Sequence, residues 1–313
     1  MTEERELLRD TVAALVEKHA SPESVREAME SPRGYDESLW QMLCEQVGVA
    51  ALVVPEESGG AGGELADAAV ALEELGRALV PTPLWGTTLA ELALLSAVEP
   101  DADALEKLAE GSSIGAVVFD PGYVVNGDVA DVVVAADGEN LTRWTVFTAE
   151  PAVSMDPTRR LARVQATETS VIGPDPGLVD VAAILLAAEQ IGAASRCLDL
   201  TVQYTKDRVQ FGRPIGSFQA LKHRMADLYV AVQSARAVVG EAVADPSPTS
   251  ASLARLAASE AFSTVAGEAI QLHGGIAITW ESDIQLYFKR AHASAQLLGP
   301  PREHLRRLES DVF

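Results

Sequence analysis

The sequence predicts a mainly α-helical protein with a small β domain at its centre. Three observations predict it. Apolar residues recur at helical spacing through residues 1–112. Short β-branched runs separated by Gly, Asp and Asn fill 113–173, and four long apolar helical patterns broken by Pro and Gly occupy 174–313. The expected architecture is an N-terminal α-helical domain (1–112), a reduced β domain (113–173) and a C-terminal four-helix bundle (174–313).

In the first segment Leu7, Leu8, Val12, Leu15 and Val16 share one helical face, and so do Leu39, Met42, Leu43 and Val47. Gly59 to Gly63 form a flexible loop after Val53-Val54-Pro55. No Gly-Lys-Ser/Thr follows it, so it reads as a turn and not as a phosphate loop. A helix is expected from Ala66 to Leu79, a break at Pro81-Thr82-Pro83, and another helix from Leu84 to Val98. Strands are expected at Ala116–Phe119, Val132–Val134, Arg143–Phe147 and Arg163–Thr167.

Gly173-Pro174-Asp175-Pro176-Gly177 punctuates the entry to the bundle. Its first helix runs from about Leu178 to Asp207, where Gly192-Ala193-Ala194 admits a close neighbour. The second runs from Phe218 to about Ala244 with Leu221, Met225, Leu228, Val232 and Val239 on one side, and Ser217 is a candidate cap. Asp245-Pro246-Ser247-Pro248 ends it. The third is capped by Thr249 or Ser250 and reaches about Leu272, and the fourth runs from Glu281 to Leu298 ahead of Gly299-Pro300-Pro301 and a charged tail helix.

Composition narrows the partners. Acidic residues number 46 against 24 basic, a net charge of -22, which repels a nucleic-acid backbone and makes any anionic ligand depend on local cations. Hydrophobic residues make up 48%, enough for a globular core. The two cysteines, Cys44 and Cys197, form neither a disulfide framework nor a zinc spacing. The charged start carries no recognisable signal peptide, and the apolar run Val179–Ala188 is too short to span a bilayer, so a reducing, cytoplasmic setting is expected.

The stretch Asp207 to Gln219 reads as the elbow between the first two bundle helices. It sets Arg208 and Arg213 on either side of Phe211. The residues alone leave two readings open: an aromatic plug with solvated arginines, or guanidinium forks that grip a phosphate.

Arg208-Val209-Gln210-Phe211-Gly212-Arg213-Pro214-Ile215, followed by Phe218-Gln219 and Met225-Ala226-Asp227, closely resembles the signature of the acyl-CoA dehydrogenase family. Gln271-Leu272-His273-Gly274-Gly275-Ile276 through Thr279-Trp280-Glu281 falls at the spacing that family requires, and the resemblance covers nearly the whole chain. The resemblance implies FAD as cofactor, each flavin lying across two subunits. It implies that Arg208 meets the pyrophosphate with help from Gln210, and that Phe211 packs on the cofactor. Phe218 and Gln219 would offer helix N-terminal N–H groups, while Gln271, Gly274 and Gly275 would approach the adenosine. Ala277 replaces the usual third glycine. Nothing in the β domain matches the family's ring-binding segment, and Asn126-Gly127 is a partial echo of another element.

Dehydrogenation of a thioester also needs a carboxylate to take the α-proton while hydride leaves the β-carbon. The two positions from which relatives supply that glutamate read Leu298 and Ala183 here, and neither accepts a proton. Glu189 lies two turns beyond Ala183 on a face suited to a salt bridge or a subunit contact. His19, His223, His292 and His304 fall on charged helical faces, His273 falls in the cofactor loop, and no metal cluster stands out. A chain of this make-up resembles the shortened subunits of α2β2 dehydrogenases of actinobacterial steroid degradation. The expectation is a subunit that lends an FAD-binding arm to a larger paralogue carrying the base and the acyl-CoA pocket. The alternatives are a flavin-free scaffold and a self-sufficient dehydrogenase with a relocated base.

Overall fold

The structure, a computed structural model, describes residues 2–312. Six helices open it: α1 (Glu3–His19), α2 (Pro22–Glu30), α3 (Glu37–Met42), α4 (Leu65–Arg77), α5 (Leu84–Leu95) and α6 (Ala102–Ala109). Their ends are closed by local chemistry. Thr2 caps α1 by accepting from the Arg5 N–H, and Glu64 and Asp67 satisfy each other's backbone N–H groups at the start of α4. In the glycine loop the Gly62 N–H donates to the Val54 carbonyl and the Gly63 N–H to the Leu52 carbonyl, both at 2.8 Å. A Cβ on Gly60 would overlap the Val54 carbonyl, so glycine there serves a tight turn.

One five-stranded sheet follows, built from β1 (Gly115–Val118), β2 (Val124–Val125), β3 (Val132–Ala136), β4 (Asn140–Ala152) and β5 (Leu161–Pro174) in the order β1-β3-β4-β5-β2. β1 and β3 are parallel, and the other pairs are antiparallel. β4 and β5 run well past the segments expected from the sequence. Their far halves are largely exposed, so polar residues replace the apolar alternation that marks a half-buried strand.

The rest of the chain is helical apart from one small hairpin: α7 (Leu178–Asp207), β6 (Val209–Gln210), β7 (Arg213–Pro214), α8 (Gln219–Ala244), α9 (Pro248–His273), α10 (Ile284–Ser294) and α11 (Pro301–Val312). α7 is the central element. Its apolar residues Ile184, Leu185, Leu186 and Ile191 are buried in the core shared with α4, α5 and the sheet. A Cβ on Gly192 would overlap the Glu73 carbonyl, and one on Gly76 the Glu189 carbonyl, so α4 and α7 touch through bare backbone. As a whole α7 is long and apolar enough to cross a membrane, which the short run Val179–Ala188 had not indicated, but 78% of its most apolar window is buried within the fold.

Several local expectations are corrected. Ser217 does not cap α8; its hydroxyl donates to the Pro214 carbonyl at 2.7 Å within a 3-10 turn, and the capping position falls to Phe218. Ser247 caps α9, with Ser250 reaching back to its N–H. α5 stops at Leu95, after which the Val98 N–H pairs with the Ile172 carbonyl at 2.9 Å, and α10 covers only Ile284–Ser294, after which Gln296 and Leu297 close tight turns. His304 is buried, not on a charged face, since α11 packs that side against α9.

Candidate functional site

α7 ends at Arg208, whose N–H closes on the Tyr204 carbonyl at 2.8 Å. The chain then turns through the β6–β7 hairpin with Phe211 (φ 54) and Gly212 (φ 77) at its tip. Two consecutive left-handed residues suit a two-residue hairpin, and a phenylalanine there holds a strained conformation. Phe211 is 93% exposed. Its ring meets Phe218 edge-on at 6.3 Å between centroids, and the Arg213 guanidinium lies over the Phe218 ring at 3.9 Å.

Phe218 opens α8 without any side-chain cap, and no acid stands in the first turn. Arg208 is exposed and forms no ion pair among the described residues. Cations at a helix N-terminus oppose its dipole. The Phe218 N–H is taken by the Ile215 carbonyl at 3.1 Å, which leaves the start of α8 to Gln219, and in a chain of net charge -22 the cations Arg208, Lys222 and His223 flank that helix start in sequence, a pattern suited to an anion.

The second motif reaches the same end of the bundle. The Tyr204 ring stacks on His273 at 4.1 Å, and its hydroxyl donates to the His273 carbonyl at 3.3 Å. The His273 Nδ1 lies 2.9 Å from the Ala269 carbonyl, and burial lowers the pKa of the ring. Gly274 (φ 64) ends α9, and a Cβ on it or on Gly275 would meet nothing within 4 Å, so this backbone is bare for close approach. Gln271 is exposed beside it. Gln210 and Gln219 point less clearly to a ligand: the Gln210 amide donates to the Val209 carbonyl, and the Gln219 amide lies 3.4 Å from the His223 ring. The Tyr204–His273 contact thus joins the arm and the glycine loop at one end of the bundle.

A separate cleft of about 1030 Å³ opens between the sheet and the bundle, at the upper end of the usual range for a small-molecule site. Val117, Phe119, Leu161, Phe288, Leu297 and Leu298 supply apolar wall, and His292, Glu303 and Arg307 stand among its polar groups. Leu298 adopts φ 60, followed by Gly299 at φ 93. Fully buried Arg255 holds that turn, donating to the carbonyls of Ser294 and Leu297 at 2.9 Å each and to Ser259 Oγ at 3.0 Å. Burial, then repulsion from Arg159, pushes the Arg255 guanidinium down to about 9. His304 beside it is pushed down to about 4 by burial, then by Arg255 and Arg307.

Neither base position carries a proton acceptor. Leu298 lines the cleft, and Ala183 is buried in α7. Glu189, also buried, accepts from Arg159 and from Arg290. Arg290 in turn donates to Asp156 Oδ2 at 2.5 Å and to the Thr158 carbonyl at 3.0 Å. Burial lowers the Arg159 guanidinium; for Arg290 burial acts the same way, but Asp156 and Glu189 outweigh it and raise the group. This network ties the loop between β4 and β5 to α7 and α10.

Sequence reasoning missed Asp156, Thr158, Arg159, Arg255 and Arg290. Arg255 carries a signal in its apolar setting between Ala254 and Ala258; Asp156 and Arg159 carry none. Glu303 was also passed over. It is an exposed carboxylate in the first turn of α11, and a Cβ on Gly299 would lie 2.7 Å from its Oε2. Among the described residues no group of three or more His, Cys, Asp or Glu is placed to hold a metal.

Comparison with known proteins bears on these features. Residues 2–111 match the family model described as acyl-CoA dehydrogenase, N-terminal domain, and residues 177–308 match acyl-CoA dehydrogenase, C-terminal domain. The chain is 73% identical to "Acyl-CoA dehydrogenase IpdE2" of Mycolicibacterium smegmatis, over 100% of both chains. It is 72% identical to the protein of that name from Mycobacterium tuberculosis, over 99% of this chain and 98% of the relative. Among solved structures, a variant of the Tcur3481-Tcur3483 steroid ACAD matches with TM-score 0.89 at 28% identity, over 99% of this chain and 98% of that one. The ChsE4-ChsE5 complex from Mycobacterium tuberculosis matches in fold with TM-score 0.89 at 24% identity, over 100% of this chain and 98% of that one.

Proposed function

The chain belongs to the acyl-CoA dehydrogenase family, and from that premise we propose that it is the non-basic half of a heteromeric, FAD-dependent enzyme. One observation carries the proposal. Both positions from which a family glutamate would reach the substrate are apolar, and the next carboxylate along α7, Glu189, is buried between two arginines. Both guanidiniums donate to its Oε1, and it does not line the cleft beside Leu298.

In this reading the chain contributes an arm. Arg208 and the N-terminal N–H of α8 at Gln219 would hold the FAD pyrophosphate, with Gln210 beside them and Phe211 packed on the cofactor; Phe218, whose N–H donates to the Ile215 carbonyl at 3.1 Å, would shape the site instead. Gln271, Gly274 and Gly275 would receive the adenosine. FAD, when bound, supplies the hydride acceptor. A larger paralogue would supply the glutamate and most of the acyl-CoA pocket, in an α2β2 assembly. The relatives support this arrangement to different degrees: the two matched solved structures are each named as a pairing of two differently named chains, and one is described as a steroid ACAD. A CoA thioester of a bulky steroid fragment is the substrate class proposed, and a reducing cytoplasm the location, in keeping with two free, buried cysteines.

The test is an absorbance spectrum of the chain purified alone and purified with its partner. Little flavin alone and one flavin per unlike pair is the expected result; stoichiometric flavin in the isolated chain overturns it. One observation favours a second reading. Glu303 lines the cleft beside the Leu298–Gly299 turn, where a relocated base would stand. If Glu303→Gln abolishes turnover with flavin retained, this chain is catalytic in its own right.

A further inference from the structure

The two arginines of the arm look equivalent in sequence but not in space. Arg208 is exposed at the end of α7 and forms no ion pair among the described residues, whereas Arg213 lays its guanidinium over the Phe218 ring at 3.9 Å. Phe218 is the residue that opens α8, and the same ring meets the edge of Phe211 at 6.3 Å, near perpendicular at 88°. Three side chains from β7, the hairpin tip and the helix start therefore share one aromatic hub.

The hub is needed because little else holds the tip. The hairpin has two ladder pairs, Val209 with Pro214 and Gln210 with Arg213, closed by the Ile215 N–H on the Arg208 carbonyl at 2.8 Å. Every hairpin residue is exposed. An isolated two-stranded hairpin is marginal in water, and this one keeps Phe211 at positive φ. Left free, the tip would swing relative to the N–H groups of α8.

We propose that Arg213 is a positioning residue: its stack on Phe218 fixes the hairpin against the start of α8, so that Arg208 and the α8 N–H groups converge on one anionic group. Arg213 is not itself the phosphate ligand. The inference rests on the reading of the arm as the FAD pyrophosphate site, but its mechanical part stands without any flavin.

Two measurements test it. The first uses the isolated chain: amide hydrogen exchange across residues 209–221. Arg213→Gln should speed exchange there roughly threefold to thirtyfold, the equilibrium change a cation–π contact of this kind produces. Arg213→Lys should retain most of the protection, because an ammonium also sits over a ring. Unchanged exchange in Arg213→Gln overturns the positioning role.

The second uses the co-expressed complex, stripped of flavin and titrated with FAD. Arg213→Gln and Phe218→Leu should each weaken binding by a similar factor in that range, and the double variant should be no weaker than either single one. If the two losses multiply, Arg213 acts without Phe218, as a direct phosphate ligand, and the proposal fails. Arg208→Ala separates the premise from the inference. If it leaves FAD affinity unchanged, the arm is not the pyrophosphate site, whatever the exchange data say of Arg213.

Discussion

Glu189→Gln is the substitution on which two accounts of this chain diverge most. Glu189 accepts from both Arg159 and Arg290 in the interior, and Arg290 keeps Asp156 and Thr158 when Glu189 is neutralised. Arg159 does not fare so well. Its Nη2 loses the only charged acceptor it has among the described residues, and its Nη1 is already buried without a hydrogen bond. Two buried cations balanced by two carboxylates become two balanced by one. Stripping one partner from a buried pair costs about 3–5 kcal/mol, which lowers Tm by roughly 5–8 °C in a chain of this size.

Calorimetry on the chain measures that loss directly. The double variant Glu189→Gln with Arg159→Met restores the charge balance with an apolar stem of similar length, and at least half of the lost stability should return. Turnover of the complex, assayed well below the lowered Tm, should stay within about tenfold, far short of the hundredfold to ten-thousandfold loss that follows removal of a general base. An unchanged Tm would show that the network is not what holds the β4–β5 loop to the bundle. A collapse of turnover with fold and flavin intact would make Glu189 a base after all.

Arg208→Ala should weaken FAD binding to the complex about tenfold to a hundredfold, the equivalent of roughly 1.5–3 kcal/mol for a charge-assisted two-point contact, and Arg208→Lys should recover only part of it; flavin titration reads both. Glu91 is fully buried, both carboxylate oxygens lack hydrogen-bond partners among the described residues, and burial alone raises its pKa well above 4.5. Its folded form therefore favours the proton, so this residue's contribution to stability is greatest below its unfolded pKa and falls as pH rises toward the folded value. Glu91→Leu should remove that falling limb and stabilise the chain near neutral pH by about 1–3 kcal/mol, as urea titrations at several pH values would reveal; a parallel pH profile in the variant would refute the assignment. Gly192→Ala forces a Cβ into the Glu73 carbonyl and should cost about 3 kcal/mol, with a matching fall in the urea midpoint, unless α4 and α7 part more easily than their packing implies.

Much of this protein is legible in its residues, because the signals are local. Helical periodicity located α1, α4 and the long bundle helices. The Arg208–Ile215 and Gln271–Gly275 blocks stood out through their resemblance to the acyl-CoA dehydrogenase signature, and the apolar identity of positions 183 and 298 is a property of the sequence itself. Tertiary structure decided what depends on contacts between distant segments. It brought Tyr204 against His273, joining the two motifs at one end of the bundle, and it separated Arg213, stacked on Phe218, from exposed Arg208. It gathered Asp156, Arg159, Glu189 and Arg290 into one buried network, and it took His304 out of solvent. A charged side chain reads the same in sequence whether it faces water or another charge; only the fold determines which solvation it loses and which partner compensates for it.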